Sequence, residues 1–468
     1  MMDAPFAKHL DDVRASEARI SDGVVAVGYS ELASTLPSIL QFLIACGVQA
    51  TSCIAVETPN CVAGALLTLA LLKNGISFVL FPPLPDADLK PVPRFCDFRV
   101  RVSAESPGAE PTGALQLDRN VHHDRALPQT GKLFLRTSGS MGASKIAVHS
   151  HAGLMGNAMN VVRKYGFGPD SRASIPVPIA HMYGFGAVFL AAILSGAAVD
   201  LQDKTNLLKY LDRERKFQPD IVFATPAICQ MLMAGYKSVR TNYKVFVTSG
   251  QRISEELFRS FDPLVNGKLV NQYGSTEMGA IAACNPSDPI DLRAAAIGQP
   301  LSGVELRVEP ADSPEPQDLF CLHPYGFEGY VDEDGVWLKQ HRKEDWYRTG
   351  DLALSREDGS IIVTGRSDAA VNRRGYLVQL SDVERRMETL DVLSTVAVVA
   401  GKEERQEGRI AAFCVLKPGA GIDGLQLRER CFDLMPAYAI PDEVHLLTSL
   451  PLLPTGKIDR QKLATLLS

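Results

Sequence analysis

The chain lacks any apolar run long enough to cross a bilayer. Its longest, such as Cys61 to Leu72 and Gly186 to Val199, stop well short of the roughly 20 residues that a helical span needs. The stretch Met1 to Ile20 is charged and has no apolar core of the kind a secretory leader carries. A dominant sign of charge is missing too: the formal net charge is −6 and the charges are interspersed, so no basic stripe points to nucleic acid and no acidic tail to a solvated arm. The nine cysteines are odd in number and scattered, with no Cys-x-x-Cys and no Cys/His cluster of zinc spacing. Together these absences set aside a disulfide framework, a structural zinc site and a membrane span. They lead us to expect a cytoplasmic protein with buried thiols in a reducing compartment.

What the chain does have is core-forming material: 46% of its 468 residues are hydrophobic, enough for two or three domains. From Tyr29 to Leu84 helix-like and strand-like periods alternate. Ser30 reads as the cap of a helix through Cys46, Ser52 to Glu57 as a strand, Asn60 as the cap of an apolar helix through Leu72, and Ser77 to Phe81 as a strand. Such alternation predicts an α/β domain with a mainly parallel sheet. The segment Pro82 to Thr130, rich in proline and charge, gives no clear element. Val148 to Tyr165 reads as a helix. Ile221 to Ala224, Val245 to Val247 and Leu269 to Gln272 read as strands, and turns at the carboxyl ends of such strands gather ligands. Residues 297–363 suggest short antiparallel strands in a β-rich lobe. A fresh α/β pattern follows, with helices over Ser381 to Leu390 and Leu425 to Leu434 and strands over Thr395 to Ala400 and Arg409 to Leu416.

Chemistry concentrates in a few stretches. Thr137-Ser138-Gly139-Ser140-Met141-Gly142-Ala143-Ser144-Lys145 follows the apolar strand Leu133 to Leu135. Glycine lets the backbone approach closely, hydroxyls and amides donate hydrogen bonds and lysine adds charge, which suits a loop around phosphate. Lys145 follows Ser144 and precedes Ile146, so the Gly-Lys-Ser/Thr ending of a P-loop is absent. Alone, such a loop fits a plain surface turn equally well. Downstream, His181-Met182-Tyr183-Gly184-Phe185 stands at a strand-to-helix junction, where it could either line a pocket or simply pack. Tyr273-Gly274-Ser275-Thr276-Glu277 combines a ring that can stack on a base, a hydroxyl for phosphate and a carboxylate for magnesium. Thr349-Gly350-Asp351 places an aspartate where it could accept two sugar hydroxyls.

Taken in order with Gly365-Arg366-Ser367-Asp368 and Pro454-Thr455-Gly456-Lys457, these stretches resemble the adenylate-forming superfamily. That superfamily holds the acyl- and aryl-CoA synthetases, peptide-synthetase adenylation domains and luciferases; the likeness is greatest to stand-alone acyl or aryl acid ligases, such as those of secondary metabolism. The resemblance implies an α/β fold in which a large N-terminal domain (1–366) of parallel-type α/β subdomains with a β-rich lobe carries the acid and ATP sites. A small, mobile α+β domain (367–468) would bring the catalytic lysine. It implies that a carboxylate attacks the α-phosphate of ATP to give acyl-AMP and pyrophosphate, and that a thiol then displaces AMP. By the same resemblance Thr137, Ser138, Gly139, Ser140, Gly142 and Lys145 would hold the β- and γ-phosphates, Thr276 the α-phosphate and Glu277 the Mg2+ ion. Asp351 would take the ribose, with Arg366 nearby, and Tyr273, Gly274, Ser249 and Gly250 would flank adenine. Lys457 would bridge carboxylate and phosphate, Asp368 would be the hinge, and the loop around Gly375 would line the thiol tunnel. Met141 stands where the family usually has a hydroxyl, Ser144 where it has proline, and Asn372 where lysine is common.

Amino-acid-activating domains carry a Phe-Asp pattern where this chain has His181 to Phe185, so nothing there would pair with an ammonium group. A carboxylic acid without an α-amino group is expected, aromatic or acyl, in a pocket of His181, Tyr183, Phe185, Ala224, Met278 and Gly279. No carrier segment follows Lys457 before Ser468, so the thiol is expected from CoA or from the phosphopantetheine arm of a separate acyl carrier protein. Two other outcomes stay open: an enzyme that passes acyl-AMP to another acceptor, and a non-catalytic adenylate-binding homologue.

Overall fold

A computed structural model describes residues 5–83, 92–103, 111–123, 130–137, 145–203, 206–310, 313, 315–367, 370–373, 376–401, 408–453 and 457–467. The chain forms two compact units: Met1–Glu305 with Leu322–Tyr347, and Leu306–Cys321 with Arg348–Ser468. The fold is the mixed α/β arrangement that the sequence predicts, with large sheets in the N-terminal part and a smaller C-terminal domain.

Among the described residues the first unit holds two sheets. In the nine-stranded one, Arg172–Ile175, Ala198–Leu201, Ile221–Ala224, Val245–Thr248 and Leu269–Ser275 run parallel to their neighbours, and Gly279–Ala283 turns back antiparallel along Leu269–Ser275. Ile221–Ala224 and Val245–Thr248 are buried at every position, as parallel strands covered on both faces must be. The short strand Arg19–Ser21 pairs in parallel with Ala198–Leu201, Ile20 opposite Val199. The eight-stranded sheet has a parallel centre of Phe98–Val102, Cys53–Glu57, Ser77–Phe81 and Lys132–Arg136, and antiparallel flanks that include Ile146–Ser150 and Gly329–Val331.

Three local readings need correction. Residues Ile146–Ser150 form a strand, and the helix begins only at His151, because Ser150 is extended and its hydroxyl accepts the Gly153 N–H. Asn60 is not a helix cap. Cys61 takes that place with its sulfur, while the Asn60 side chain is buried, donating to the carbonyls of Ile175, Val177 and Gln202 and accepting from the Ile179 N–H. A buried amide bonded through both its nitrogen and its oxygen cross-links distant backbone that would otherwise sit unsatisfied, at roughly 1–3 kcal/mol per group. Ser30 lies in a 3₁₀ turn before the helix Leu32–Ala45, and Glu31 rather than Ser30 accepts the Gly28 N–H. The unplaced segment contributes the strands Phe98–Val102 and Leu115–Arg119.

The second unit contains a four-stranded sheet ordered Glu305–Glu309, Gln317–Leu322, Tyr347–Ser355, Ile361–Arg366, the hairpin Ala370–Arg373 with Tyr376–Gln379, and a three-stranded sheet of Leu393–Ala400, Ile410–Leu416 and Glu443–Leu446. The amphipathic helix Leu380–Met387 lays Val383 and Met387 on the core of this last sheet. The helix Gly424–Arg430 is shorter than the sequence suggests and passes into a 3₁₀ turn at Cys431.

Candidate active site

In the first unit the site residues sit on two structures. One is the pair of feet under the Ser138 to Ser144 stretch. Thr137 donates both its amide (2.9 Å) and its hydroxyl (3.1 Å) to the carbonyl of Lys145, closing the neck as the strands Lys132–Arg136 and Ile146–Ser150 leave it. Ser138, Gly139, Ser140 and Gly142, with Met141 and Ser144, lie outside the described residues.

The other is the hairpin turn between Leu269–Ser275 and Gly279–Ala283, which carries Thr276, Glu277 and Met278. A register shift between Tyr273 and Gly274 bends the strand as it reaches the turn, the usual way a bulge re-aims side chains. Underneath, Asn157 donates to the carbonyls of Met278 (3.0 Å) and Ala280 (3.3 Å) and accepts from the Ala280 N–H (3.1 Å). His323 donates from Nε2 to the Ala280 carbonyl and accepts the Tyr325 N–H on Nδ1; His149 donates from Nε2 to the Thr276 carbonyl at 2.8 Å. Those tautomers follow from the partners, since a carbonyl only accepts. Burial pushes both imidazoles down to about 4, so both are neutral near pH 7.

Gly279 sits at φ +67, and a Cβ there would fall 2.6 Å from the Asn157 amide nitrogen. Gly279→Ala combines a left-handed backbone with a clash against the clamp, so we expect a loss of about 2–4 kcal/mol. The denaturant midpoint of the variant measures it; an unchanged midpoint would show that the clamp yields without strain.

Glu277 is tied at both ends. Its carbonyl accepts the Phe327 N–H at 2.8 Å, and its Oε1 accepts the Tyr330 hydroxyl at 2.7 Å. Tyr330 in turn lies 3.0 Å from the Tyr347 hydroxyl, and Lys145 Nζ stands 5.6 Å from the Tyr330 ring centroid. Burial and the neighbouring carboxylate raise the Tyr330 phenol far above its ordinary value, so it stays a donor. Phe327 packs edge-on against both tyrosines.

Tyr183 and Phe185 belong to a π-helical turn, Tyr183–Phe189, a winding that recurs at functional sites, and His181 stands just before it, its carbonyl accepting the Phe185 N–H at 2.8 Å. Gly184 is required there: a Cβ would lie 2.2 Å from the Pro178 carbonyl oxygen. The Tyr183 hydroxyl is used up on the carbonyls of Ala224 and Val247, at the carboxyl ends of their strands. Phe185 is fully buried between Phe78 and Phe189, and Met278 is fully buried as well. Ser249 and Gly250 follow the strand Val245–Thr248, with the Ser249 amide bonded to Ala224.

In the second unit the Arg366 guanidinium lies 3.4 Å from Asp351, whose amide donates to Thr349 Oγ1. Lys457 is exposed, and its carbonyl accepts the Leu453 N–H at 2.7 Å. Asp368 and Gly375 lie outside the described residues, as does the side chain of Asn372. Sequence reasoning missed Asn157, His149, His323 and Tyr330. The Tyr330 partner is 53 residues away, and no local spacing encodes that pairing.

A family model described as AMP-binding enzyme matches residues 6–319, and one described as AMP-binding enzyme C-terminal domain matches residues 382–457. The chain belongs to this AMP-binding enzyme family, the adenylate-forming proteins that its motifs resemble. Among curated relatives it is 26% identical, over 73% of its length and 64% of the relative's, to a salicylyl-CoA synthase / salicylate adenylyltransferase of Streptomyces sp.. It is 24% identical, over 94% of its length and 89% of the relative's, to a 2-hydroxy-7-methoxy-5-methyl-1-naphthoate–CoA ligase of Streptomyces carzinostaticus. Among solved structures it shares its fold with ATP-bound MatB from Rhodopseudomonas palustris, at a TM-score of 0.80 and 19% identity over 100% of this chain and 99% of that one. No helix among the described residues is long and apolar enough to cross a membrane.

Proposed function

We propose that this protein is an AMP-forming acid–thiol ligase that activates an aromatic carboxylic acid. The acid's carboxylate oxygen attacks the α-phosphorus of ATP, the bond to the bridging oxygen breaks, and pyrophosphate leaves. A thiolate of CoA, or of a phosphopantetheine arm on a separate carrier protein, then attacks the acyl carbon and AMP departs. The observation that carries this reading is the clamped turn: His149 holds the Thr276 carbonyl, Phe327 the Glu277 carbonyl and Asn157 the main chain at Met278 and Ala280, with Lys145 Nζ over the Tyr330 ring.

Rigid placement matters because phosphoryl and nucleotidyl transfer gains most from charge positioned in advance. Glu277 fits a magnesium ion of the kind that accompanies nucleotides. Among the described residues no three His, Cys, Asp or Glu side chains converge, and magnesium typically takes one or two carboxylates together with substrate phosphates. Bound there, the ion would neutralise phosphate charge. Lys145 would meet the β- and γ-phosphates, Thr276 the α-phosphate, Asp351 and Arg366 the ribose, and Tyr273, Gly274, Ser249 and Gly250 the adenine. Lys457 would serve the adenylating step, and the movable part would begin at residue 367, with Asp368 as hinge and Gly375 beside the thiol.

An aryl acid is favoured by the rings around the proposed pocket. Tyr183 lies 5.9 Å from Phe223, which also packs against Tyr165 and Phe167. The two Streptomyces relatives act, by name, on a hydroxybenzoate and a hydroxynaphthoate. The test is pyrophosphate release from ATP and Mg2+ across benzoates, naphthoates, cinnamates, fatty acids and amino acids, with and without CoA. Release with an aryl acid that rises when CoA is added is the expected result. Release indifferent to CoA would turn the acceptor to a carrier protein, and release only with amino acids would overturn the reading.

A further inference from the structure

Among the described residues Tyr330 meets both Glu277 and Lys145, and it belongs to neither of the motifs that carry them. It stands on the strand Gly329–Val331, which pairs antiparallel with Ile146–Ser150 so that Val331 lies opposite Ile146, the residue after Lys145. That pairing puts its ring under Lys145 Nζ, at 5.6 Å, while its hydroxyl reaches Glu277 Oε1 at 2.7 Å. An ionised carboxylate only accepts, so the single Tyr330 proton is committed to Glu277, and the Tyr347 hydroxyl 3.0 Å away must donate to the Tyr330 oxygen. The result is a directed chain from Tyr347 to Tyr330 to Glu277, in which each hydrogen bond polarises the next.

Two consequences follow from this geometry. First, Oε1 is spoken for, while Oε2 has no protein hydrogen bond among the described residues. The carboxylate is therefore oriented, with a defined oxygen left for a ligand. Second, Glu277 and Lys145 carry opposite charges within reach of the same ring, yet among the described residues each engages Tyr330 and not the other. A direct ion pair would quench both before any nucleotide arrived. We propose that Tyr330 is a positioning residue, relayed by Tyr347, that orients Glu277 for the nucleotide-bound metal and holds Lys145 apart from it for the phosphates. This rests on the reading of Glu277 and Lys145 given above.

Two variants separate the functions of the hydroxyl and the ring. Tyr330→Phe keeps the ring and its packing on Phe327 but removes the bond to Glu277. Tyr330→Leu removes both. Mn2+ would be titrated into the full chain with a non-hydrolysable ATP analogue and followed by its paramagnetic resonance signal, with metal-free ATP binding and thermal midpoints measured alongside. A hydrogen bond to a charged group accounts for about a tenfold change in affinity. Tyr330→Phe should therefore weaken Mn2+ about 5- to 10-fold, leaving metal-free ATP affinity within about twofold and the thermal midpoint near wild type. Tyr330→Leu should weaken both Mn2+ and metal-free ATP. Wild-type Mn2+ affinity in Tyr330→Phe, beside a clear loss in Glu277→Gln, would overturn the positioning role while leaving Glu277 as metal ligand. If Glu277→Gln itself binds Mn2+ as wild type does, the ligand assignment fails and the positioning role falls with it.

Discussion

Replacing Lys457 by alanine is expected to lower acyl-AMP formation roughly 100- to 1,000-fold, the range typical of deleting one donor that meets charge developing in a transition state. ATP binding should change by no more than about threefold, since binding contacts belong to other residues. The local frame should survive, because what closes that turn is main chain: the Leu453 amide donating to the Lys457 carbonyl, beside the antiparallel bridge of Leu452 with Ile458. Only the exposed side chain is lost. Pyrophosphate–ATP exchange reads the first half-reaction, and thioester formation from synthetic acyl-AMP reads the second. Exchange lost with thioester formation retained is the expected pattern. Unchanged turnover would sink the assignment of this lysine.

Acid should destabilise the first unit from beneath its active turn. His149 and His323 have folded-state values near 4 against 6.5 in the unfolded chain, so folding favours their neutral forms. A depressed histidine contributes its full stability above about pH 6.5. Below that the unfolded chain binds protons that the folded one refuses, and stability falls until about pH 4. The limiting loss is roughly 3 kcal/mol per histidine. For His323 the cause is burial, and the bonding leaves no room for a second proton: one on Nδ1 would face the Tyr325 N–H that it now accepts. Denaturant midpoints between pH 7 and 4 measure the slope. His149→Gln keeps an amide donor for the Thr276 carbonyl but has nothing to titrate, so its slope should be shallower by about one proton. Identical slopes in wild type and variant would refute the assignment.

Much of the architecture was legible because the period of the apolar residues carries it. Runs such as Ile221 to Ala224 and Val245 to Val247 can hardly be anything but buried strands, and the turns after them follow from topology. Boundaries were less legible. At Ile146–Ser150 apolar residues lead straight into a helix, and only the cap at Ser150 tells where one ends and the other begins. Asn60 looked like a cap because asparagine before an apolar run usually is one; its real partners are 115 or more residues downstream. The site divides the same way. Residues that would touch the nucleotide cluster in short motifs, whereas those that hold them still, such as Asn157, His323 and Tyr330, come from separate parts of the chain and leave no local trace.

The Asn60 contacts also set a timetable for synthesis. Its furthest partner, the Gln202 carbonyl, lies 142 residues on, and the Arg19–Ser21 strand must wait longer still for Ala198–Leu201 to pair with. At ribosomal rates of about 5–20 residues per second, both wait roughly 7–36 s for these partners after they are made. From Arg136 onward the parallel centre of the eight-stranded sheet has all its strands, while the nascent chain still carries an uncovered amide and a hairpin, Arg19–Ser21 with Ala26–Gly28, that lacks its parallel partner. The early part of this protein is therefore the part most in need of shelter as it leaves the ribosome.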